Sequence, residues 1–233
     1  MHSNRIAIVV AGGVGRRMCS PEPKQFMLLG GEPVLMRTLR AFASIHNPPT
    51  LVLVLHPDLE ERWHQLCRQH HFELPHQLVH GGAERFHTVR QGLSLVPNSH
   101  TTLVAVHDAV RPLLPPQLIE VGFEMAQRVG SAIPVVHPAD SVRLQPHPDA
   151  PSRAIDRGQV LLVQTPQVFR ADWLHAAYSQ PYSPRFTDDA SVVEAHGFAV
   201  STFSGSPTNI KLTTPHDWAL AQLMLEHRMP NEQ

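Results

Sequence analysis

Of the 19 basic side chains in this 233-residue chain, only Lys24 and Lys211 are lysines. A general bias toward arginine accounts for the shortage but not for which two remain. A lysine that persists among arginines marks a place where a compact ammonium is needed and a planar guanidinium fails. Lys24 closes the stretch AGGVGRRMCSPEPKQF (Ala11–Phe26), which follows directly on the apolar run IAIVV (Ile6–Val10). Gly12, Gly13 and Gly15 free backbone amides for close approach to a ligand, and Arg16, Arg17 and Lys24 add fixed positive charge. Amides plus several cations suit a polyphosphate. The plainer alternative is a glycine turn with solvated basic neighbours. The stretch is not the dinucleotide fingerprint, because Met18 stands where the third glycine belongs, and no Gly-Lys-Ser/Thr of a P-loop follows.

A second group sits in TLVAVHDAVRP (Thr102–Pro112). The apolar strand ends in His107-Asp108, which puts a carboxylate at the carboxyl edge of a sheet, where open α/β sheets bind ligands. One aspartate beside phosphates suits Mg²⁺, which keeps waters and completes its shell with phosphate oxygens. Arg111 is a candidate anion clamp. Taken alone, Asp108 serves equally well as a turn cap paired with Arg111; the loop with Lys24 tips the reading toward function. In VHGGAERFHTVRQGL (Val79–Leu93), Gly81 and Gly82 would let backbone press against a flat base, and Thr88 offers a hydroxyl one turn on. No G-x-S-x-G elbow occurs. The 17 histidines form no H-E-x-x-H, and Cys19 and Cys67 fit no C-x-x-C pattern, so a zinc site is not expected.

The elements that must position these residues alternate. Strands are expected at Ile6–Val10, Thr50–Leu55, Gln77–His80, Thr102–Val106, Ser131–Val136, Val160–Gln164 and Phe198–Phe203. Helices are expected at Val34–Ile45, Asp58–His70, Glu84–Leu95, Pro116–Val129, Ala171–Tyr178, Asp188–His196 and Thr214–Glu226. This rhythm predicts an α/β fold, a mostly parallel sheet with crossover helices. Asp58, Asp188 and Thr214 read as helix caps. Ser141–Arg157 breaks the rhythm with two short polar strands around a proline-rich turn. A hairpin with so little core needs a partner, which favours an arm reaching a second protomer.

The bulk numbers narrow the class. The length suits one α/β domain, and a net charge of −1 gives no basic face for nucleic acid and no polybasic membrane patch. No stretch approaches the ~20 apolar residues of a membrane span, and the first apolar run leads into glycines rather than a signal-peptide cleavage site. Two cysteines make no disulfide framework, so a cytoplasmic protein is expected.

Six stretches, AGGVGRRM…PKQF, GGAER…TV, VHDAVRP, DR…QTPQVF, TDDAS and NIKLTTPHD, occur in that order along nearly the whole chain. Together they resemble the 2-C-methyl-D-erythritol 4-phosphate cytidylyltransferases of the non-mevalonate isoprenoid pathway, to which the ribitol 5-phosphate cytidylyltransferases are close relatives. The resemblance implies a Rossmann-like α/β domain over residues 1–233, with a projecting β-hairpin arm, 138–158, that completes the neighbour's site in a homodimer. It implies a Mg²⁺-dependent reaction between CTP and a sugar-alcohol phosphate. Ala11 to Gly15 and Arg17 would cradle the triphosphate, and Lys24 would contact the α-phosphate. Gly82, Ala83 and Thr88 would lie at the base and ribose, and Asp108 would hold Mg²⁺. Arg111, Ser141 and Arg157 would grip the second substrate's phosphate, Ser141 and Arg157 from across the dimer. Thr165 would line the pocket, and Lys211 would approach the reacting phosphate from the other side. Arg17, Lys24 and Lys211 are the expected catalytic cations.

The chain departs from the family pattern at Ala83 and Thr208, each in place of a common aspartate, and at Ser141 in place of threonine. Val10-Ala11-Gly12 leans toward the ribitol pattern, whereas DRGQVLLVQTPQVF and SPTNIKLTTP lean toward methylerythritol and cover more residues. The expectation is therefore a methylerythritol phosphate cytidylyltransferase. Its rivals are the ribitol enzyme and an inactive nucleotide-binding protein; an NAD oxidoreductase fails on the missing third glycine.

Overall fold

The structure, a computed structural model, describes residues 4–13 and 22–227. The strands are β1 (Asn4–Ala11), β2 (Leu28–Leu29), β3 (Glu32–Pro33), β4 (Thr50–Leu55), β5 (Gln77–His80), β6 (Thr102–Asp108), β7 (Ser131–Val136), β8 (Val142–Leu144), β9 (Arg153–Ile155), β10 (Leu162–Val163), β11 (Gln167–Arg170) and β12 (Thr202–Ser204). The helices are α1 (Val34–Ala43), α2 (Glu60–Gln69), α3 (Arg85–Leu93), α4 (Pro116–Val129), α5 (Ala171–Tyr178), α6 (Asp189–Ala195) and α7 (Pro215–Glu226).

The main sheet runs β10-β7-β11-β6-β1-β4-β5, with β12 paired to β7. β5, β4, β1 and β6 are mutually parallel. Their β-branched runs are buried on both faces, as expected of parallel strands covered by helices. Side chains alternate between two cores. Ala7, Val9, Leu51, Leu53, Leu103 and Ala105 pack with Leu39, Phe42 and Phe123 of α1 and α4. Ile6, Ile8, Val52, Val54, Val104 and Val106 pack with Phe86, Val89 and Leu174 of α3 and α5. The period of two along each strand thus divides one apolar run between two layers of helix.

β1 and β6 are neighbours whose onward connections run in opposite directions along the sheet, to β4 and to β7, and a crevice opens between their carboxyl ends. Val10 is in register with Asp108, and Ala109 N–H donates to Val10 O at 3.1 Å. This register brings the glycine loop and the aspartate to the same edge.

Several expectations change. β11 is a buried antiparallel strand inserted between β6 and β7. At four residues, flanked by Gln167 and Arg170, it is too short to show a period. The strand expected over Val160–Gln164 contracts to β10. The β2–β3 hairpin, which was not expected, precedes α1. Asp58 does not cap α2. A 3-10 turn at Pro57–Leu59 precedes that helix, and the His56 imidazole accepts from Asp58 N. Asp188 and Thr214 do cap α6 and α7, each with a reciprocal capping box. β8 and β9 form a separate two-stranded sheet in register Val142↔Ile155, largely exposed, with Leu144 at its surface.

Candidate active site

Two clefts flank Asp108. The first, about 320 Å³, is lined by Ala11, Gly12, Gly13, Lys24, Gly82, Ala83, Thr88 and Asp108, with Lys211 on its wall. The second, about 270 Å³, is lined by Arg111, Thr165, Gln167, Thr187 and Asp188. Arg85, Asp108 and Lys211 line both and form the partition between them. A larger cavity of about 780 Å³ opens at the amino ends of β1 and β4, the opposite edge of the sheet, and takes no part here.

The glycine loop is held from within the protein. Gln25, buried in the PKQF stretch, donates from Nε2 to Gly13 O (3.0 Å) and Ala11 O (3.3 Å). Gly12 approaches Thr88 so closely that a Cβ would lie 3.0 Å from its Oγ1. The Thr88 hydroxyl donates to Glu84 O (3.0 Å) and accepts from Gly82 N (3.3 Å), tying the α3 entry to the Gly81-Gly82 turn. Gly82 leaves no room for a side chain, since a Cβ there would meet His87 Cβ at 2.5 Å. Ala83 lines the first cleft and is exposed. Gly15, Arg16 and Arg17 lie outside the described residues.

Asp108 sits among three cations. Its Oδ2 is 2.8 Å from Lys211 Nζ and 3.8 Å from Arg111 Nε, and its Oδ1 accepts from Arg85 Nε at 3.3 Å. Burial disfavours the ionised carboxyl. The Arg85 guanidinium, then Lys211 and Arg111, outweigh that and hold it well below the usual carboxylate range. Arg85 in turn forks onto the fully buried Asp189 (2.9 and 2.7 Å), which also accepts from Tyr178 Oη at 2.6 Å.

A closed ring of hydrogen bonds brings three distant segments to the partition. Thr165 Oγ1 accepts from Asp108 N (3.1 Å) and pairs with His107 Nδ1 (3.0 Å), while His107 Nε2 pairs with Arg111 O (3.3 Å). Arg111 Nη1 donates to Asn209 O (2.7 Å), and Asn209 Nδ2 donates back to Thr165 O (2.8 Å). Burial, reinforced by the Arg111 and Arg85 charges against the pull of Asp108, drops His107 to about 3. His107 is therefore neutral at pH 7, and its partners assign the proton to Nε2, leaving Nδ1 to accept from the Thr165 hydroxyl. With Asn209 fixed in the ring, Lys211 two residues on is brought to Asp108. Thr208 takes no part: its hydroxyl pairs with Ser206 Oγ at 2.8 Å.

Ser141 and Arg157 stand on or beside the exposed β8–β9 hairpin and line neither cleft; Arg157 Nη1 donates to Ala139 O within the arm. Sequence reasoning did not single out Arg85, Gln25, His107, Asp189 or Asn209. All five lie inside the quoted motifs, and their roles depend on partners too distant in sequence to be inferred from spacing.

For a metal, Asp108 is the candidate ligand. Among the described residues no three histidine, cysteine, aspartate or glutamate side chains converge on a point. A lone ionised carboxylate ringed by cations fits a Mg²⁺ that arrives already bound to phosphate oxygens, rather than one taken up by the protein alone.

The family model that matches residues 5–227 is described as 2-C-methyl-D-erythritol 4-phosphate cytidylyltransferase. A protein of that name from Porphyromonas gingivalis is 46% identical over 226 residues, covering 97% of this chain and 99% of the relative. One from Bacteroides thetaiotaomicron is 45% identical over 218 residues, covering 94% and 98%. Among solved structures, the 4-diphosphocytidyl-2C-methyl-D-erythritol synthase of Anaerococcus prevotii superposes with a TM-score of 0.80 at 25% identity, covering 97% of each chain. The 2-C-methyl-D-erythritol 4-phosphate cytidylyltransferase of Thermus thermophilus gives 0.73 at 30% identity, covering 97% of this chain and all of that one. Such identity over nearly the full length, on a sheet whose switch point gathers both lysines and Asp108, makes the chain a member of the 2-C-methyl-D-erythritol 4-phosphate cytidylyltransferase family.

Proposed function

We propose that this chain transfers the cytidylyl group of CTP to 2-C-methyl-D-erythritol 4-phosphate, giving 4-diphosphocytidyl-2-C-methyl-D-erythritol and pyrophosphate. The observation that carries this reading is that Lys24 and Lys211 line one cleft together with the glycines, while Asp108 lines both that cleft and its neighbour. One cleft has the glycine backbone and cations that suit a triphosphate. The other has Arg111, Thr165 and polar groups that suit a sugar-alcohol phosphate.

The chemistry needs no protein nucleophile. An oxygen of the ionised methylerythritol phosphate attacks the α-phosphorus of CTP in line. The bond from that phosphorus to the bridging oxygen breaks, and its electron pair leaves with pyrophosphate. Catalysis is then positioning together with stabilisation of charge on the equatorial oxygens. Lys24, Lys211 and Arg17 would supply the positive charge, and the Ala11–Gly15 stretch is the one assigned to the triphosphate. Gly82, Ala83 and Thr88 form the wall assigned to base and ribose. Mg²⁺, when bound, neutralises phosphate charge, and Asp108 is the residue that would hold it.

Ser141 and Arg157, which line neither cleft of their own protomer, fit a role in the partner's second cleft. That makes the active unit a homodimer joined through the arm at 138–158, on a single nucleotidyltransferase domain spanning 1–233. The absence of any described helix long and apolar enough to cross a membrane accords with a cytoplasmic enzyme. An inactive nucleotide-binding protein would have no use for an ionised Asp108 shared among three cations. ³¹P NMR of the protein with CTP, methylerythritol phosphate and Mg²⁺ should show pyrophosphate and a diphosphate diester growing in equal amounts. CTP surviving unchanged contradicts the reading.

A further inference from the structure

Arg85 is the one residue of the partition that the cytidylyl-transfer account leaves without a task. It is the first residue of α3 and lines both clefts, yet its guanidinium is largely taken up by protein. Nη1 and Nη2 fork onto the two oxygens of Asp189 at 2.9 and 2.7 Å, and Nε remains for Asp108 Oδ1 at 3.3 Å. Asp189 is itself immobilised: it is fully buried at the start of α6 and accepts from Tyr178. The result is a strap of three charges that runs from the buried Asp189, through Arg85, to the carboxylate in the partition.

Resting on the function proposed above, we infer that Arg85 is a positioning residue: anchored on Asp189, it holds one oxygen of Asp108, keeping the other oxygen and Lys211 directed at the reacting phosphates. The physical case is competition for a single carboxylate. Asp108 has two oxygens and three cationic neighbours. With Oδ1 occupied by an anchored guanidinium, Lys211 shares a carboxylate already partly neutralised and can transfer to a phosphate. Without Arg85, both oxygens turn to Lys211 and Arg111, and those two cations are tied down where they should meet substrate. A guanidinium suits this task because it bridges two carboxylates in a fixed plane, which a point-charge ammonium cannot do.

Removing Arg85 alone would leave Asp189 as a buried unpaired charge and endanger the fold. The test therefore uses Arg85→Gln combined with Asp189→Asn, an amide pair without charge, alongside Arg85→Lys. The double variant is expected to melt within a few degrees of the parent, to lose about 10²-fold in kcat, and to change KM for CTP less than about 3-fold. Arg85→Lys is expected to stay at least about 10-fold down in kcat. A purely structural tie between α3 and α6 would lower the melting temperature and leave kcat alone; normal kcat in either folded variant overturns the inference. A crystal structure of Arg85→Lys supplies a readout independent of turnover. The Asp108 carboxylate rotated toward Lys211 and Arg111 supports the inference, and an unmoved carboxylate overturns it. Absence of turnover in the parent itself would instead contradict the proposed reaction, and the crystallographic comparison would still decide the role of Arg85.

Discussion

Lys211 Nζ lies 2.8 Å from Asp108 Oδ2, so one of the chain's two lysines rests on the carboxylate that separates the two clefts. The Lys211 side chain is 42% exposed whereas Asp108 is 11% exposed. Under the proposed function, the more exposed lysine is the partner free to turn toward an incoming phosphate, and the ion pair would hold its ammonium near the reacting groups before substrate binds.

Lys24→Ala and Lys211→Ala should each lower kcat at least ~10²-fold, comparable to removing one donor from an oxyanion hole. Lys24→Arg and Lys211→Arg should recover little of it, because a guanidinium does not reproduce a compact charge. Steady-state pyrophosphate release measures both; near-normal turnover in either alanine variant removes that lysine from the mechanism.

Gly82→Ala should damage the nucleotide cleft. Its new Cβ would fall 2.5 Å from His87 Cβ and 3.2 Å from His87 C, so the backbone of the turn or of α3 must move. Overpacking of this kind costs about 1–3 kcal/mol. A melting curve should show the loss and the KM for CTP should rise; an unchanged KM would mean the turn does not face the nucleotide.

Acid should destabilise the protein through His107 well before carboxylates protonate. Its folded value is depressed to about 3 from an ordinary 6.5. Below pH 6.5 the unfolded chain takes up a proton that the folded chain refuses, so stability falls as pH drops through the window from 6.5 toward 3. His107→Gln should flatten that slope. Urea midpoints for both proteins at pH 7 and pH 5 check this, and equal slopes would refute it.

Thr214→Ala should cost about 1 kcal/mol by removing the α7 cap. Thr214 Oγ1 accepts from Asp217 N at 3.3 Å, and Asp217 Oδ2 in turn accepts from Thr213 N (2.9 Å) and Thr214 N (2.7 Å). Differential calorimetry reads the change. Loss beyond the capping range would show that the helix also holds up the Asn209–Lys211 segment that precedes it.

The parallel half of the sheet was legible because β1, β4 and β6 are long β-branched runs separated by helices of ordinary length. β4, β5, β7, α4 and α5 fall where the sequence puts them, and the hairpin of β8 and β9 appears within Ser141–Arg157. β11 was not legible, since four residues in antiparallel register, three of them buried, leave no periodic trace. At the site, glycines, lysines and Asp108 announce themselves by type. Arg85 and His107 do not, because each is held by a partner that only folding supplies: Asp189 at the start of α6 and Thr165 in the connection before β11.

The most direct test of the account is pyrophosphate release by the purified protein with CTP and Mg²⁺, comparing methylerythritol 4-phosphate with ribitol 5-phosphate. The account predicts rapid release with the first and little with the second. Equal or greater release with ribitol phosphate, or none with either, would contradict it.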